Sequence, residues 1–129
     1  MAERGYAFIK KIPLFTSQSL SAGGSGTSTA IDLTECTQEG RFSIAASIAL
    51  GTAGTCGTTT LSYTGCETAD GTFVSPASAV TLGTLGTSNT ADIIGFTPVL
   101  TPFIKIIAAQ NGSGNVGHDS VITATLNVQ

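Results

Sequence analysis

The sequence predicts an all-β protein, a single antiparallel β-sandwich of about eight strands with jelly-roll-like connections over residues 1–129. Three observations predict this class. Apolar and small residues alternate in several runs, glycine and asparagine separate those runs, and no stretch has the spacing of an amphipathic helix. Hydrophobic residues make up 41% of the chain, which is enough for one core.

The first half of the chain contains the clearest half-buried strand. Residues 42–50 alternate apolar with small residues, so that one face carries every second residue from Phe42 to Leu50. A glycine-rich turn is expected at residues 23–26. Shorter extended segments are predicted at residues 6–15, 18–20 and 29–33.

In the second half, strands are predicted at residues 58–64, 73–74, 80–82, 93–96, 103–109 and 122–128. Residues 103–109 are apolar on both faces, which favours a central place in a sheet. Pro98 and Pro102 flank an extended segment that we expect to cross between the sheets. Residues 83–89 are expected to form a loop, since they are rich in Gly, Thr and Asn.

Residues able to carry out chemistry are few. The one histidine, His118, lies in a Gly- and Asn-rich loop, and Glu35 and Glu39 share another short loop. Glu67 and the Asp70-Gly71 turn lack the further oxygen ligands of a calcium loop. We therefore predict no enzymatic activity, no cofactor and no metal site.

The three cysteines have no metal-binding spacing. Cys56 and Cys66 bracket a predicted strand of about 23 Å, which is too long for a disulfide between them. Two alternatives stay open for the remaining pairings: Cys36 bonds to one of them, or all three are free thiols in a reducing compartment.

Charge is scarce and unevenly placed. Charged residues are 10% of the chain, whereas a soluble domain usually has about 25%, so part of the surface is expected to be covered in an assembly. Residues 1–11 have three basic residues against one acidic, and the rest has two basic against seven acidic. The basic segment either seeks an acidic protein surface or keeps an apolar strand soluble. The acidic body argues against nucleic acid as a partner.

No apolar run approaches the ~20 residues of a membrane span, and Glu3, Lys10 and Lys11 interrupt any signal-peptide pattern. We therefore expect neither membrane association nor export.

Four segments together resemble a known family. They are LFTSQSLSAGGSGTSTAIDL at residues 14–33, GCETADGTF at 65–73, PFIKIIAAQNGSG at 102–114 and ITATLNVQ at 122–129. This pattern resembles the small jelly-roll cement, or decoration, proteins of tailed-bacteriophage capsids. The three cysteines and the loop at residues 83–89 depart from the family pattern, so no docking contacts are transferred from it.

The resemblance implies a virion structural protein on the outside of the phage head, made in the host cytoplasm. Its expected partners are the major capsid protein and further copies of itself in a dimer or trimer. We expect an N-terminal arm, residues 1–15, to make partner contacts, and exposed strand edges to pair with a partner. The arm residues proposed for these contacts are Tyr6, Phe8, Ile9, Lys10, Lys11, Ile12, Leu14 and Phe15.

Two other function classes stay open. One is a different virion component, such as a head-fibre base or a tail subunit. The other is a carbohydrate-binding or adhesin module, which would be expected to show surface aromatic residues, export and paired cysteines.

Overall fold

The computed structural model describes residues 9–34, 40–51, 56–76, 83–85, 90–111 and 119–129, and within these ranges the regular elements are all strands. They are β1 (Lys10–Leu20), β2 (Ser25–Thr27), β3 (Ile31–Asp32), β4 (Phe42–Leu50), β5 (Thr58–Cys66), β6 (Gly83–Leu85), β7 (Thr90–Phe96), β8 (Phe103–Asn111) and β9 (Ser120–Val128).

The strands form two antiparallel sheets. Sheet I has the order β1-β9-β4-β7, and sheet II has the order β2-β8-β5-β6, with the short β3 pairing to β8 beyond β2. Early strands pair with late ones in nested fashion, β1 with β9, β2 with β8, β4 with β7 and β5 with β6. This nesting is the jelly-roll arrangement, and it confirms the predicted fold class.

The core lies between the inner faces of the two sheets. Every second residue of β4 and β9 is buried, as the alternation predicted, and β5 and β8 supply the opposite wall. Each fully buried Leu or Ile contributes about 1.5–3 kcal/mol. The Leu and Ile side chains with least exposure are Leu20, Ile44, Leu61, Ile104, Ile106, Ile122 and Leu126.

The central strand of sheet II is β8, as its two apolar faces predicted. It pairs with β5 along its whole length and with β2 and β3 on its other side. Between β2 and β3, Ser28 continues the ladder, because its Oγ accepts the N–H of Ile106 at 2.9 Å. The serine hydroxyl therefore replaces a backbone acceptor where the edge strand is interrupted.

The first strand corrects the predicted arm. Residues 10–15 pair with β9 and are part of sheet I, so they are not a free arm. The register slips once between Pro13 and Phe15 and again between Phe15 and Gln18. These bulges place the consecutive residues Leu14 and Phe15 both in the core, which a regular strand could not do.

Two shorter predictions are also corrected, and the position of a third is refined. The expected glycine turn at residues 23–26 is present but lies slightly earlier, closed by the Gly24 N–H donating to the Ser21 carbonyl, and β2 begins at Ser25. The expected loop at residues 83–89 contains β6. Residues 73–74 form only an isolated bridge, in which Val74 pairs with Gly65. The predicted strand at residues 80–82 lies outside the described residues.

Candidate interaction surface at the crossover end

The chain crosses between the sheets through residues 97–102, here called the crossover segment. This segment leaves the edge strand β7 of sheet I and enters the central strand β8 of sheet II. Pro98 and Pro102 flank it, as predicted from the extended conformation that a proline imposes on its predecessor. It closes one end of the sandwich, here called the crossover end.

Hydrogen bonds hold the crossover segment in place. The Tyr63 hydroxyl accepts the backbone N–H of Val99 at 2.7 Å, and Tyr63 itself is buried in the core. The backbone N–H of Leu33 donates to the carbonyl of Pro102 at 2.7 Å. Two parts of sheet II, β5 and the residue that follows β3, therefore fix a segment that has no regular secondary structure.

A close contact adds to this bracing. A Cβ placed on Gly65 would lie 2.9 Å from Oγ1 of Thr101, so the crossover segment packs directly on the β5 backbone. The Thr101 hydroxyl also donates to the Phe103 carbonyl at 3.2 Å. Only glycine at position 65 allows this approach without a shift.

Three aromatic rings support the crossover end from inside. The ring centroids of Phe42 and Phe96 are 5.6 Å apart, and those of Tyr63 and Phe96 are 6.3 Å apart. Both pairs are tilted, a favourable geometry for aromatic contacts. The cluster joins β4 and β7 of sheet I to β5 of sheet II.

An apolar groove of about 600 Å³ opens beside the crossover segment. Among the described residues that line it, Glu67 is the charged one. The groove is lined by Leu33, Thr34, Gly40, Phe42, Glu67, Thr97, Pro98, Val99, Leu100, Thr101 and Pro102. Ile9 lines a smaller groove of about 160 Å³, which shares Phe42 with the large one.

Large apolar side chains are exposed at the same end. Among the described residues, five large hydrophobic side chains are strongly exposed, and four of them lie here. They are Ile9 (65% exposed), Val74 (62%), Val99 (53%) and Leu100 (98%), here called the crossover patch. Exposure of several large apolar side chains at one end of a domain is typical of an interaction surface, whereas single exposed apolar residues are ordinary.

Charges of both signs surround the crossover patch. Asp32 accepts hydrogen bonds from the Thr34 hydroxyl (2.5 Å) and the Thr34 backbone N–H (2.9 Å). These bonds, aided by the positive charge of Lys10, lower the pKa of Asp32 below its ordinary value near 3.8. Arg41 is tied to the C-terminal residue, since its guanidinium donates to the side-chain oxygen of Gln129 at 3.2 Å.

The predicted partner-binding residues are divided by the structure. Ile9, Lys10 and Lys11 are exposed at the crossover end, and Ile12 is half-buried against the core. Phe15 is only 4% exposed and its ring lies in the core, so the prediction that it contacts a partner is corrected. The same prediction is corrected for Leu14, which is also buried. Tyr6 and Phe8 lie outside the described residues.

The sequence argument missed the most exposed member of the crossover patch. Leu100 lies between two prolines in a segment that was read only as a connection. An apolar pair held between prolines in a loop was the available signal, because core residues seldom sit in crossing segments. Val74 was missed because it was assigned to a strand.

The other candidate features considered from the sequence are a metal site, the cysteine pair and the Asp70-Gly71 turn. No group of three His, Cys, Asp or Glu that could hold a metal occurs among the described residues. Cys56 and Cys66 are free thiols at opposite ends of β5, as predicted for that pair. Asp70 and Gly71 lie in the turn that brings Val74 back to β5, in accord with the predicted turn.

Four further sequence candidates, Cys36, His118, Glu35 and Glu39, lie outside the described ranges. Across those ranges, no helix has the length and apolar character needed to cross a membrane.

The fold and the crossover patch together define a jelly-roll β-sandwich with an exposed apolar end. No known protein family and no curated protein matches the chain.

Proposed function

We propose that this protein is a capsid cement, or decoration, protein of a tailed bacteriophage. It binds the outside of the icosahedral head and stabilises contacts between major capsid protein subunits. The resemblance of the four sequence segments and the low content of charge support this role. In this proposal it acts as a structural protein without enzymatic activity, and neither nucleic acid nor membrane is its partner.

The observation that carries the proposal is the crossover patch. Leu100 is almost completely exposed although it is the tip of a segment held by Tyr63, Leu33 and Gly65. A rigid apolar tip beside an apolar groove is suited to binding a protein surface, because little conformational entropy is lost on docking. In the proposed complex, Leu100 enters a pocket of the capsid protein, and an apolar capsid side chain enters the groove.

Docking through side chains fits the described strand edges better than the strand pairing expected from the sequence. In the described part of the chain, the β1 edge contains Pro13, Lys10 and two bulges, and β6 has three residues. On the β7 edge, the Ile93 N–H already donates to the Asp92 carboxylate at 2.8 Å. These features discourage strand addition.

The test is co-sedimentation of the full chain with expanded phage heads that lack it. Wild-type protein is expected to saturate the heads at a symmetric copy number and to raise their rupture temperature. Leu100→Asp is expected to weaken binding at least tenfold, since it places a charge in an apolar contact. Ser25→Asp is the matched control, because Ser25 is an exposed β2 residue near the opposite end of the sandwich.

Each alternative function has its own outcome. If wild-type protein ignores the heads, the cement role is wrong, and binding to a glycan array would then favour the adhesin class. If it binds tails or head fibres instead, another virion role is favoured. Equal loss of binding in Leu100→Asp and Ser25→Asp would show that the crossover patch is not the contact.

A further inference from the structure

The fifth exposed apolar residue, Ile93, lies on a different surface. It projects from β7 on the outer face of sheet I and is 73% exposed. Its cross-strand neighbour on β4 is Ala45, and the next outward pair on those strands is Ser47 with Ala91. Because these neighbouring side chains are small, the Ile93 side chain projects beyond the rest of this face.

A shallow depression of about 530 Å³ lies directly beside Ile93. Its floor and walls come from small residues of three adjacent strands, including Ala45, Ser47, Ala91 and Thr123. The outward-facing residues of β4, β7 and β9 contain no charge among those the structure describes, although Asp92, which pairs with the inward-facing Ala46, also lines the depression. An apolar projection and a depression that could receive it therefore lie next to each other, and the outward-facing charge of this sheet, Lys11, lies on β1 at the opposite edge.

We infer that this face binds the same face of a second copy, with Ile93 of each copy seated in the depression of the other. In this dimer a two-fold axis lies in the interface plane, midway between Ile93 and Ser47. Rotation about the axis places Ile93 of each copy over the depression of the other copy. A second copy is the occupant that supplies both complementary features by symmetry. A different protein would need a separately matched hole and projection.

The area of the face indicates to which size class of protein interface this contact belongs. Four strands at ~4.8 Å spacing and about nine residues at ~3.3 Å each give a face of about 19 Å by 30 Å. Two such faces bury about 1,100 Å², slightly above the ~1,000 Å² needed for a specific interface and below the usual ~1,600 Å². Interfaces of this size are typical of weak, transient association, and we expect a dimer with a Kd in the micromolar range.

This inference deepens the proposed function, which expects a dimer or trimer, by naming the self-association face and selecting the dimer. A weak dimer is sufficient on a phage head, because copies held on one surface meet at high effective concentration. The dimer face and the crossover patch use different residues, so they can be tested separately.

The experiment is sedimentation velocity of the full chain from about 1 µM to about 1 mM, a range that spans the expected Kd. Wild-type protein is expected to shift from monomer to dimer across this range. Ile93→Ala should raise the Kd about a hundredfold, because each dimer loses two seated side chains. Ile93→Asp and Ser47→Arg, which change the projection and the hole, should leave only monomer.

Leu100→Asp is the control, since it introduces the same charge at an even more exposed apolar residue. It is expected to dimerise like wild type while losing phage-head binding. Wild-type protein that stays monomeric at the highest concentration would overturn the inference, as would equal loss of dimer in Leu100→Asp and Ile93→Asp. A dimer that ignores phage heads would leave this inference standing and refute the cement role.

Discussion

Replacement of Gln110 by leucine tests how the two sheets are joined at the end opposite the crossover segment. Gln110 is 3% exposed on β8 of sheet II. Its Nε2 donates to the Leu20 carbonyl at 2.9 Å and to the Ser120 hydroxyl at 3.1 Å, both in sheet I. Its Oε1 accepts the Gly57 N–H at 2.9 Å, so the partners determine which way the amide points.

The expected loss follows from these partners. Leucine would leave two groups of almost fully buried residues, the Leu20 carbonyl and the Ser120 hydroxyl, without Gln110 as donor. Each orphaned group costs about 1–3 kcal/mol, and the half-exposed Gly57 N–H costs less because water reaches it. The added apolar side chain offsets about 1 kcal/mol. We expect a net loss of about 2–4 kcal/mol in the free energy of unfolding, from a total of about 5–15 kcal/mol.

Urea denaturation measures this loss from the transition midpoint, with an unchanged slope showing that both proteins unfold in the same way. Asn111→Leu is the matched control, because it replaces the adjacent amide at an exposed position of the same strand. It should change the free energy of unfolding by less than about 0.5 kcal/mol. A loss below about 1 kcal/mol for Gln110→Leu would refute the reasoning that this amide joins the sheets.

Three further predictions test other parts of the molecule. Thr59→Val should raise the free energy of unfolding by about 1 kcal/mol in urea denaturation, because the buried Thr59 hydroxyl has no hydrogen-bond partner among the described residues. Thr60→Val, on the outer face, should have little effect. Gly65→Ala should lower the same quantity by about 1–3 kcal/mol, since its methyl group would collide with the crossover segment. The pKa of Asp32 is lower in the folded state than in the unfolded state, where it is near 3.8, so the ionised carboxylate stabilises the fold at pH values above 3.8. This contribution is lost as the pH falls through the folded pKa. NMR titration should show Asp32 titrating below 3.8 and moving upward in Thr34→Val.

Periodicity predicted the faces of the strands correctly where a strand is regular. In β4 and β9 every second residue is apolar, and those residues form one wall of the core. In β8 both faces are apolar, and the strand is central in its sheet. These outcomes follow from local chemistry, because a strand turns alternate side chains to opposite faces wherever it lies.

The arm proposed from the family resemblance was wrong at β1. Leu14 and Phe15 were expected to contact a partner, and bulges opposite β9 turn both of them into the core. A bulge is a mismatch in residue number between two paired strands. It cannot be recognised in β1 without the strand that pairs with it.

The candidate surface was predictable only in part. Ile9 and Lys10 were proposed from the sequence, and they lie at the crossover end. Leu100 and Ile93 were not proposed, because exposure of an apolar residue depends on which segments come to cover it. Residues 97–102 pass outside the core, and Ile93 projects from the outer face of sheet I, so these side chains stay uncovered in the monomer.

By itself, the sequence determined that this chain forms an antiparallel β-sandwich, which faces of its regular strands are buried, and where it crosses between sheets. Those properties depend on alternation, turn residues and proline geometry, which act over a few residues. Only the tertiary structure decided the register of the strand pairs, the bulged first strand and the apolar end that carries the proposed function. Each of these arises from pairing between segments far apart in the chain, such as β1 with β9, and no local pattern specifies such a partner.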